Sequence, residues 1–213
     1  MLCSSNKNNI VIFSLGKTGS TSVQEALTNH EDWQTLGESS NQYEQLAEFV
    51  QQGYEPIFII REPYKRFVSG LRELIADYIS VFDSFEQINF ELYEEEKIFK
   101  FLERIVYLSR HPWSNEQAEK YGWGDGFSIN ANYHTRNWLI DVYKDYPNAR
   151  YVDITNLNDL LIELGSTPVQ SNTSSKKEQD LVEKALKKLN NYQAFENYIK
   201  PEIEIYERIY KRM

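Results

Sequence analysis

The sequence predicts an α/β protein in which a central parallel sheet is flanked by helices. Three short apolar runs, at residues 10–13, 56–60 and 150–154, are separated by segments with helical periodicity. The second run does not alternate with polar residues, which is typical of a strand buried on both faces of a parallel sheet. A chain of 213 residues is long enough for one sizeable core, so we expect a single domain over residues 1–213.

The first strand, at residues 10–13, is followed by a turn of small residues, SLGKTGST, and then by a helix over residues 20–29. The helix has one apolar face, which we expect to pack on the sheet. The residues of that face are Val23, Ala26 and Leu27.

The second strand, at residues 56–60, ends abruptly at Arg61-Glu62-Pro63. Proline suits the first turn of a helix, so we expect a helix to begin here. Its apolar stripe would consist of Phe67, Leu71, Leu74 and Tyr78.

Residues 98–108 have a helical period, whereas residues 109–133 are rich in glycine and aromatic side chains. We predict that 109–133 form an ordered loop, either a lid over a substrate or a loop held by its own aromatic packing. We expect a helix containing Trp138 to precede the third strand at 150–154, and we expect residues 171–213 to be mostly helical.

Composition limits the classes of partner. The net charge of −9 argues against non-specific binding to nucleic acid and to anionic membranes. The sequence contains no apolar run long enough to span a membrane and no apolar secretory leader, and Cys3 has no second cysteine to pair with. These features predict a cytoplasmic protein.

The turn around Lys17 predicts a P-loop-like phosphate site. A strand that leads through small residues into a helix directs backbone N–H groups toward an anion, and the helix N-terminus adds partial positive charge. Lys17 supplies a full charge, and hydroxyl groups follow at Ser20, Thr21 and Ser22.

Two other interpretations of this turn remain open. In a nucleotide triphosphatase loop, the upstream glycine would occupy the position of Val11, inside the strand, and Asp153 is only an approximate magnesium ligand. The turn is also compatible with an ordinary strand–helix connection that exposes a lysine.

A second cationic residue ends the next strand. Ligands of open parallel sheets bind at the carboxyl ends of the strands, where Arg61 lies, and arginine suits bidentate contact with phosphate. Ser69, eight residues later, could add a hydroxyl donor. The alternative is a helix start with solvated basic residues.

These two segments resemble signatures of the sulfotransferases that use 3′-phosphoadenosine 5′-phosphosulfate. Lys17-Thr18-Gly19-Ser20-Thr21-Ser22 is similar to their 5′-phosphosulfate loop, and Arg61-Glu62-Pro63 with Arg66 and Ser69 reproduces the spacing of their 3′-phosphate signature. The resemblance implies that residues 17–22 bind the 5′-phosphosulfate and that Arg61 and Ser69 bind the 3′-phosphate.

Two weaker similarities continue the resemblance. Residues 133–161 are similar to a histidine-containing helix and strand of carbohydrate sulfotransferases, and NTSSKK is similar to a loop that closes over the donor. The resemblance implies that Lys176 contacts the donor. Sulfuryl transfer by positioning and charge stabilisation requires no metal, and we expect the acceptor to be a small molecule or a glycan.

We expect Lys17 to neutralise the leaving phosphate, and we expect a general base to accept the proton of the acceptor. The resemblance favours Glu38 as the base, and His134 is the main alternative because histidine titrates near neutral pH. Either side chain could instead be purely structural. Two other functions also remain open: a small P-loop-type kinase, and a non-catalytic nucleotide-binding protein on a degenerate sulfotransferase fold.

Overall fold

The structure is a computed structural model that describes residues 1–28, 30–36, 42–82, 138–169, 176–188 and 192–213. The chain groups into two compact units, each composed of segments that are distant in sequence. The first comprises Met1–Glu62, Trp138–Thr173 and Glu202–Met213, and the second comprises Pro63–Asn137 and Ser174–Pro201.

The first unit contains a five-stranded mixed sheet with the strand order β3-β1-β2-β4-β5. The strands are β1 (Leu2–Ser5), β2 (Ile10–Ser14), β3 (Gln34–Leu36), β4 (Glu55–Ile60) and β5 (Arg150–Asp153). Strand β4 lies between β2 and β5 and is parallel to both. Strand β1 is antiparallel to β2 and to β3.

The predicted parallel sheet is confirmed for the three apolar runs, which form β2, β4 and β5. The prediction is wrong for the sheet as a whole, because β1 and β3 extend it in the antiparallel direction. Their sequences, LCSS and QTL, contain no apolar run that would mark them as strands. They join the sheet through backbone pairing, which any residue except proline can provide.

The described helices, numbered in chain order, are α1 (Ser20–Thr28), α2 (Gln42–Gln51), α3 (Pro63–Phe82), α4 (Trp138–Asp145), α5 (Leu157–Glu163), α6 (Lys176–Lys187) and α7 (Tyr192–Tyr210). Helices α1, α3 and α4 confirm the predicted helices at these positions, and α6 and α7 confirm the helical character of the C-terminal segment. A 3₁₀ turn at Ile154–Asn156 replaces the predicted last residue of the third strand. Helix α2 was not predicted.

Both faces of the sheet are covered within the first unit. Ile57 and Ile59 of β4 belong to a core with α1 and α5, whereas Phe58 and Ile60 belong to a second core with α2, α4 and the end of α7. Because successive strand residues point to opposite faces, an unbroken apolar run is buried on both sides. Leu27 of α1 is fully buried, and such burial contributes about 2 kcal/mol.

In the second unit, α3 packs against α6. Phe67 and Leu71 of α3 are buried, which confirms the first half of the predicted apolar stripe. The side chains of Leu74 and Tyr78 lie outside the described residues. An ion pair between Arg72 Nε and Glu178 Oε2, 2.9 Å apart, links the two helices.

The predicted helix at residues 98–108 and the predicted lid loop at 109–133 lie outside the described residues. No helix in the part of the chain that the structure describes has both the length and the apolar character needed to cross a membrane. The Cys3 thiol is buried in β1, and this burial raises its pKa to about 12. Cys3 is therefore a core residue that stays protonated at neutral pH.

Candidate functional site

The candidate site lies at the edge of the sheet where the three parallel strands end. Ser14 ends β2, Ile60 ends β4 and Asp153 ends β5, and the pairing of Ile60 with Asp153 shows that β4 and β5 end together. Open α/β sheets bind ligands at this edge. The loop of residues 15–19 follows β2 here and leads directly into α1.

The backbone of this loop has an uncommon conformation. Lys17 has a φ of 65° and Gly19 has a φ of 90°, while Thr18 between them keeps an ordinary negative φ. A non-glycine residue with positive φ costs about 1 kcal/mol and persists only where its surroundings hold it. Alternating backbone handedness of this kind is typical of loops whose N–H groups bind anions.

Thr18 is the residue that holds the loop from inside. Its side chain is fully buried, and its hydroxyl donates to the carbonyl of Leu15 at 2.6 Å. The Ser14 hydroxyl lies 3.0 Å from the Thr18 hydroxyl, and the Thr18 N–H donates to the same Leu15 carbonyl at 3.2 Å. Since the Thr18 hydroxyl has one hydrogen, the Ser14 hydroxyl is the donor of their shared bond.

Gly19 packs against the segment that follows β5. A Cβ atom at this position would lie 3.2 Å from Leu157 Cδ2 and 3.3 Å from Ile154 Cδ1. Leu157 belongs to the core between α1, α5 and the sheet, and Ile154 begins the 3₁₀ turn that follows β5. Gly19 therefore meets two requirements at once, a positive φ and close contact with apolar side chains.

Gly19→Ala is expected to lower the free energy of unfolding by about 2 kcal/mol, because alanine is strained at this φ and its methyl group is crowded. Urea unfolding measures the loss. Gly53→Ala is the matched control, since Gly53 also has a φ of 90° but no atom within 4 Å of the position that a Cβ would occupy. Equal losses in the two variants would contradict the role of the contacts with Ile154 and Leu157.

The first turn of α1 presents the remaining groups of the predicted loop. Its first helical hydrogen bond runs from Val23 N–H to the Gly19 carbonyl at 3.0 Å. The preceding N–H groups, those of Ser20, Thr21 and Ser22, belong to the turn that has no intrahelical acceptor. The Thr21 side chain is exposed and that of Ser20 is half-buried, whereas Ser22 is only 4% exposed.

Arg61 connects the end of β4 to the Lys17 loop. Its Nη1 donates to the carbonyl oxygen of Lys17 at 3.3 Å, across 44 residues of sequence. Both side chains are half-buried. The structure therefore brings together the two predicted cationic residues, which follow neighbouring parallel strands.

Asp153 lies at the same edge of the sheet, where its carboxylate accepts three hydrogen bonds. Its side chain is 3% exposed, and its Oδ1 accepts from the N–H and the hydroxyl of Thr155 at 2.9 and 2.7 Å. Its Oδ2 accepts from the Tyr206 hydroxyl of α7 at 2.7 Å. Burial, followed by the bond to Asp153, raises the pKa of Tyr206, so the hydroxyl remains a donor.

The sequence suggests Asp153 only as an approximate magnesium ligand, whereas in the structure its carboxylate accepts from Tyr206. An aspartate two residues before a threonine, at the end of a strand, is a signal for a capping turn. That signal predicts the Thr155 bonds. No local pattern indicates Tyr206, because it lies 53 residues from Asp153.

The other predicted site residues lie elsewhere in the chain. Ser69 and Arg66 lie on α3 in the second unit, where they are 8% and 2% exposed, and Lys176 is the exposed first residue of α6 in the same unit. Glu38 and His134 lie outside the described residues. The structure thus describes the surroundings of the Lys17 loop and Arg61, and leaves both candidate bases as predictions.

Within the described ranges, no group of three or more histidine, cysteine, aspartate and glutamate side chains is arranged to hold a metal ion. A cleft of about 580 Å³ lies beside the start of β5, and its lining includes Arg150, Glu163 and Arg212. Neither Lys17 nor Arg61 lines this cleft. Arg150 and Glu163, which both line the cleft, form an ion pair that is solvent-exposed and therefore contributes little to stability.

Comparison with protein-family models, with curated proteins and with solved structures found no match to this chain. Its function is therefore inferred from the geometry of the site and from the resemblance of its two segments to sulfotransferase signatures.

Proposed function

We propose that this protein is a sulfotransferase that moves a sulfuryl group from 3′-phosphoadenosine 5′-phosphosulfate to a hydroxyl of a small molecule or a glycan. The observation that carries the proposal is the hydrogen bond from Arg61 to the Lys17 carbonyl. It joins the segment that resembles a 5′-phosphosulfate loop to the start of the segment that resembles a 3′-phosphate signature. Two cations and a helix N-terminus at one sheet edge suit a ligand with several anionic groups.

The chemistry of these residues fits the proposed donor. Lys17 and the first-turn N–H groups of α1 would hold the 5′-phosphosulfate, together with the accessible hydroxyls of Ser20 and Thr21. Thr18 would act by fixing the loop, because its own hydroxyl is directed inward. Arg61 would contact the 3′-phosphate. The assignments of Ser22, Ser69 and Lys176 to the donor stay predictions from the resemblance.

When bound, the donor supplies a sulfuryl group whose bond to the 5′-phosphate oxygen breaks as a bond from the acceptor oxygen to sulfur forms. Lys17 would stabilise the negative charge that develops on the 5′-phosphate. Positioning and charge stabilisation together dominate catalysis in phosphoryl transfer, and we expect the same here. A base would accept the proton of the acceptor hydroxyl. Glu38 and His134 remain the two candidates for that base.

The kinase alternative is less compatible with the geometry. Val11, which occupies the position of the first glycine of a triphosphatase loop, lies fully buried in β2. The residue after the lysine of such a loop would ligate magnesium, but the Thr18 hydroxyl is buried and bonded to Leu15. Asp153, the candidate second ligand, already accepts three hydrogen bonds.

Calorimetric titration is the test of the proposed donor. We expect adenosine 3′,5′-bisphosphate to bind at least about tenfold more tightly than ATP with magnesium, because the site offers cations for two separate phosphates. Adenosine 5′-phosphate should bind more weakly than the bisphosphate, since it lacks the group that Arg61 would contact. A preference for ATP with magnesium would overturn the proposal.

Turnover is tested separately, with sulfur-labelled donor and a panel of sugar and aromatic hydroxyl acceptors. Transfer of the label to an acceptor would support the proposal that the protein is a sulfotransferase. Tight bisphosphate binding without transfer to any acceptor class would instead support the alternative, a non-catalytic nucleotide-binding protein.

A further inference from the structure

The peptide group between Lys17 and Thr18 is held at both ends. Its carbonyl oxygen accepts from Arg61 Nη1 at 3.3 Å, and its N–H donates to the Leu15 carbonyl at 3.2 Å. The C=O and the N–H of a trans peptide point in nearly opposite directions, so the two bonds restrain this group from both sides. The group begins at the Cα atom of Lys17, so the two bonds restrain the backbone that carries the Lys17 side chain.

We propose that Arg61 is a positioning residue for the Lys17 loop, in addition to its contact with the 3′-phosphate. This inference depends on the proposed function, since it assigns Arg61 a second part in the same donor site. It implies that affinity for a 5′-phosphate depends on Arg61 even in a ligand that has no 3′-phosphate. The two phosphate subsites are then energetically coupled through one side chain.

The positive φ of Lys17 is the reason why the anchor matters. A lysine at this φ is less stable than in the ordinary regions, so the loop would relax if one of its anchors were removed. Thr18 holds the loop from the core side, and Arg61 holds it from the neighbouring strand. A guanidinium has five N–H donors, so a bond to a carbonyl is compatible with a bond to phosphate.

The test compares adenosine 5′-phosphate with adenosine 3′,5′-bisphosphate on the full chain, by calorimetry on the wild type, Arg61→Met and Arg61→Lys. Methionine keeps the apolar stem without a donor, and lysine keeps one donor without the planar fork. We expect Arg61→Met to weaken 5′-phosphate binding about fivefold to tenfold, which corresponds to the loss of one hydrogen bond. Arg61→Lys should restore most of that affinity, but not the affinity for the bisphosphate.

The outcomes separate this inference from the proposed function. If Arg61→Met weakens only the bisphosphate, Arg61 contacts the 3′-phosphate alone and the positioning role is overturned, while the donor assignment stands. If the wild type binds neither adenosine ligand better than ATP with magnesium, the proposed function fails and this inference fails with it. If Arg61→Met does not fold, the Arg61→Lys variant decides. The positioning role predicts that this variant loses more affinity for the bisphosphate than for adenosine 5′-phosphate, so equal losses for the two ligands would contradict it.

Discussion

Lys17→Ala is expected to lower the rate of sulfuryl transfer by about 100-fold to 1,000-fold, because it removes the charge that would stabilise the leaving phosphate. Affinity for adenosine 3′,5′-bisphosphate should fall less, by about tenfold, which corresponds to the free energy of one charge-assisted hydrogen bond. Single-turnover measurements with sulfur-labelled donor give the rate, and calorimetry gives the affinity. The difference between the two losses separates transition-state stabilisation from donor binding.

Two variants control for the backbone and for general charge. Lys17→Gly removes the same charge but suits the φ of 65°, so it should lose as much activity while unfolding no more readily than the wild type. Lys7→Ala removes a lysine that pairs with Asp32 on the surface and should change neither rate nor affinity. Wild-type bisphosphate affinity in both Lys17 variants would remove Lys17 from the donor site.

Asp153→Ala is expected to lower the free energy of unfolding by about 3 kcal/mol, the largest stability effect that we predict at the sheet edge. The change removes the acceptor of three hydrogen bonds and leaves the hydroxyl of Tyr206 without its partner in a half-buried position. Urea unfolding measures the loss. Because Ile154 follows Asp153 and packs against the Gly19 position, bisphosphate affinity should also fall.

Tyr206→Phe is the partner variant, because it removes only the bond between α7 and the carboxylate and should cost about 1 kcal/mol. Asp153→Ala and Tyr206→Phe should then be non-additive in the double variant, since both break the same bond. An Asp153→Ala protein as stable as the wild type, or fully additive losses, would contradict a supporting network at this edge.

The strands that were predicted correctly are those that can be recognised from their own residues alone. The runs that form β2 and β4 are apolar because these strands are buried on both faces, and such runs are visible without knowledge of their neighbours. Strands β1 and β3 carry no such run, and their place in the sheet depends on backbone pairing with residues distant in sequence. Their antiparallel addition to the sheet was therefore not predictable from side-chain pattern.

The same division applies to the candidate site. The sequence predicts that Lys17 and Arg61 each follow an apolar strand. The structure shows that these strands are neighbours in the sheet and places the Arg61 side chain within hydrogen-bond distance of the Lys17 carbonyl. Thr18 was assigned to the donor site with the rest of the loop, whereas its hydroxyl is directed into the protein. The direction of a side chain within a loop depends on the acceptor it finds, and here that acceptor is a backbone carbonyl three residues earlier.

The sequence by itself determined the α/β class, the three parallel strands and the two cations at their carboxyl ends, because each follows from an unbroken apolar run and the residue that ends it. Only the tertiary structure decided how the loop is held. The bond from Arg61 to Lys17 spans 44 residues and the bond from Tyr206 to Asp153 spans 53. Such bonds form only because the folded sheet brings the ends of its strands close to each other and to α7. No local pattern in the sequence predicts these contacts.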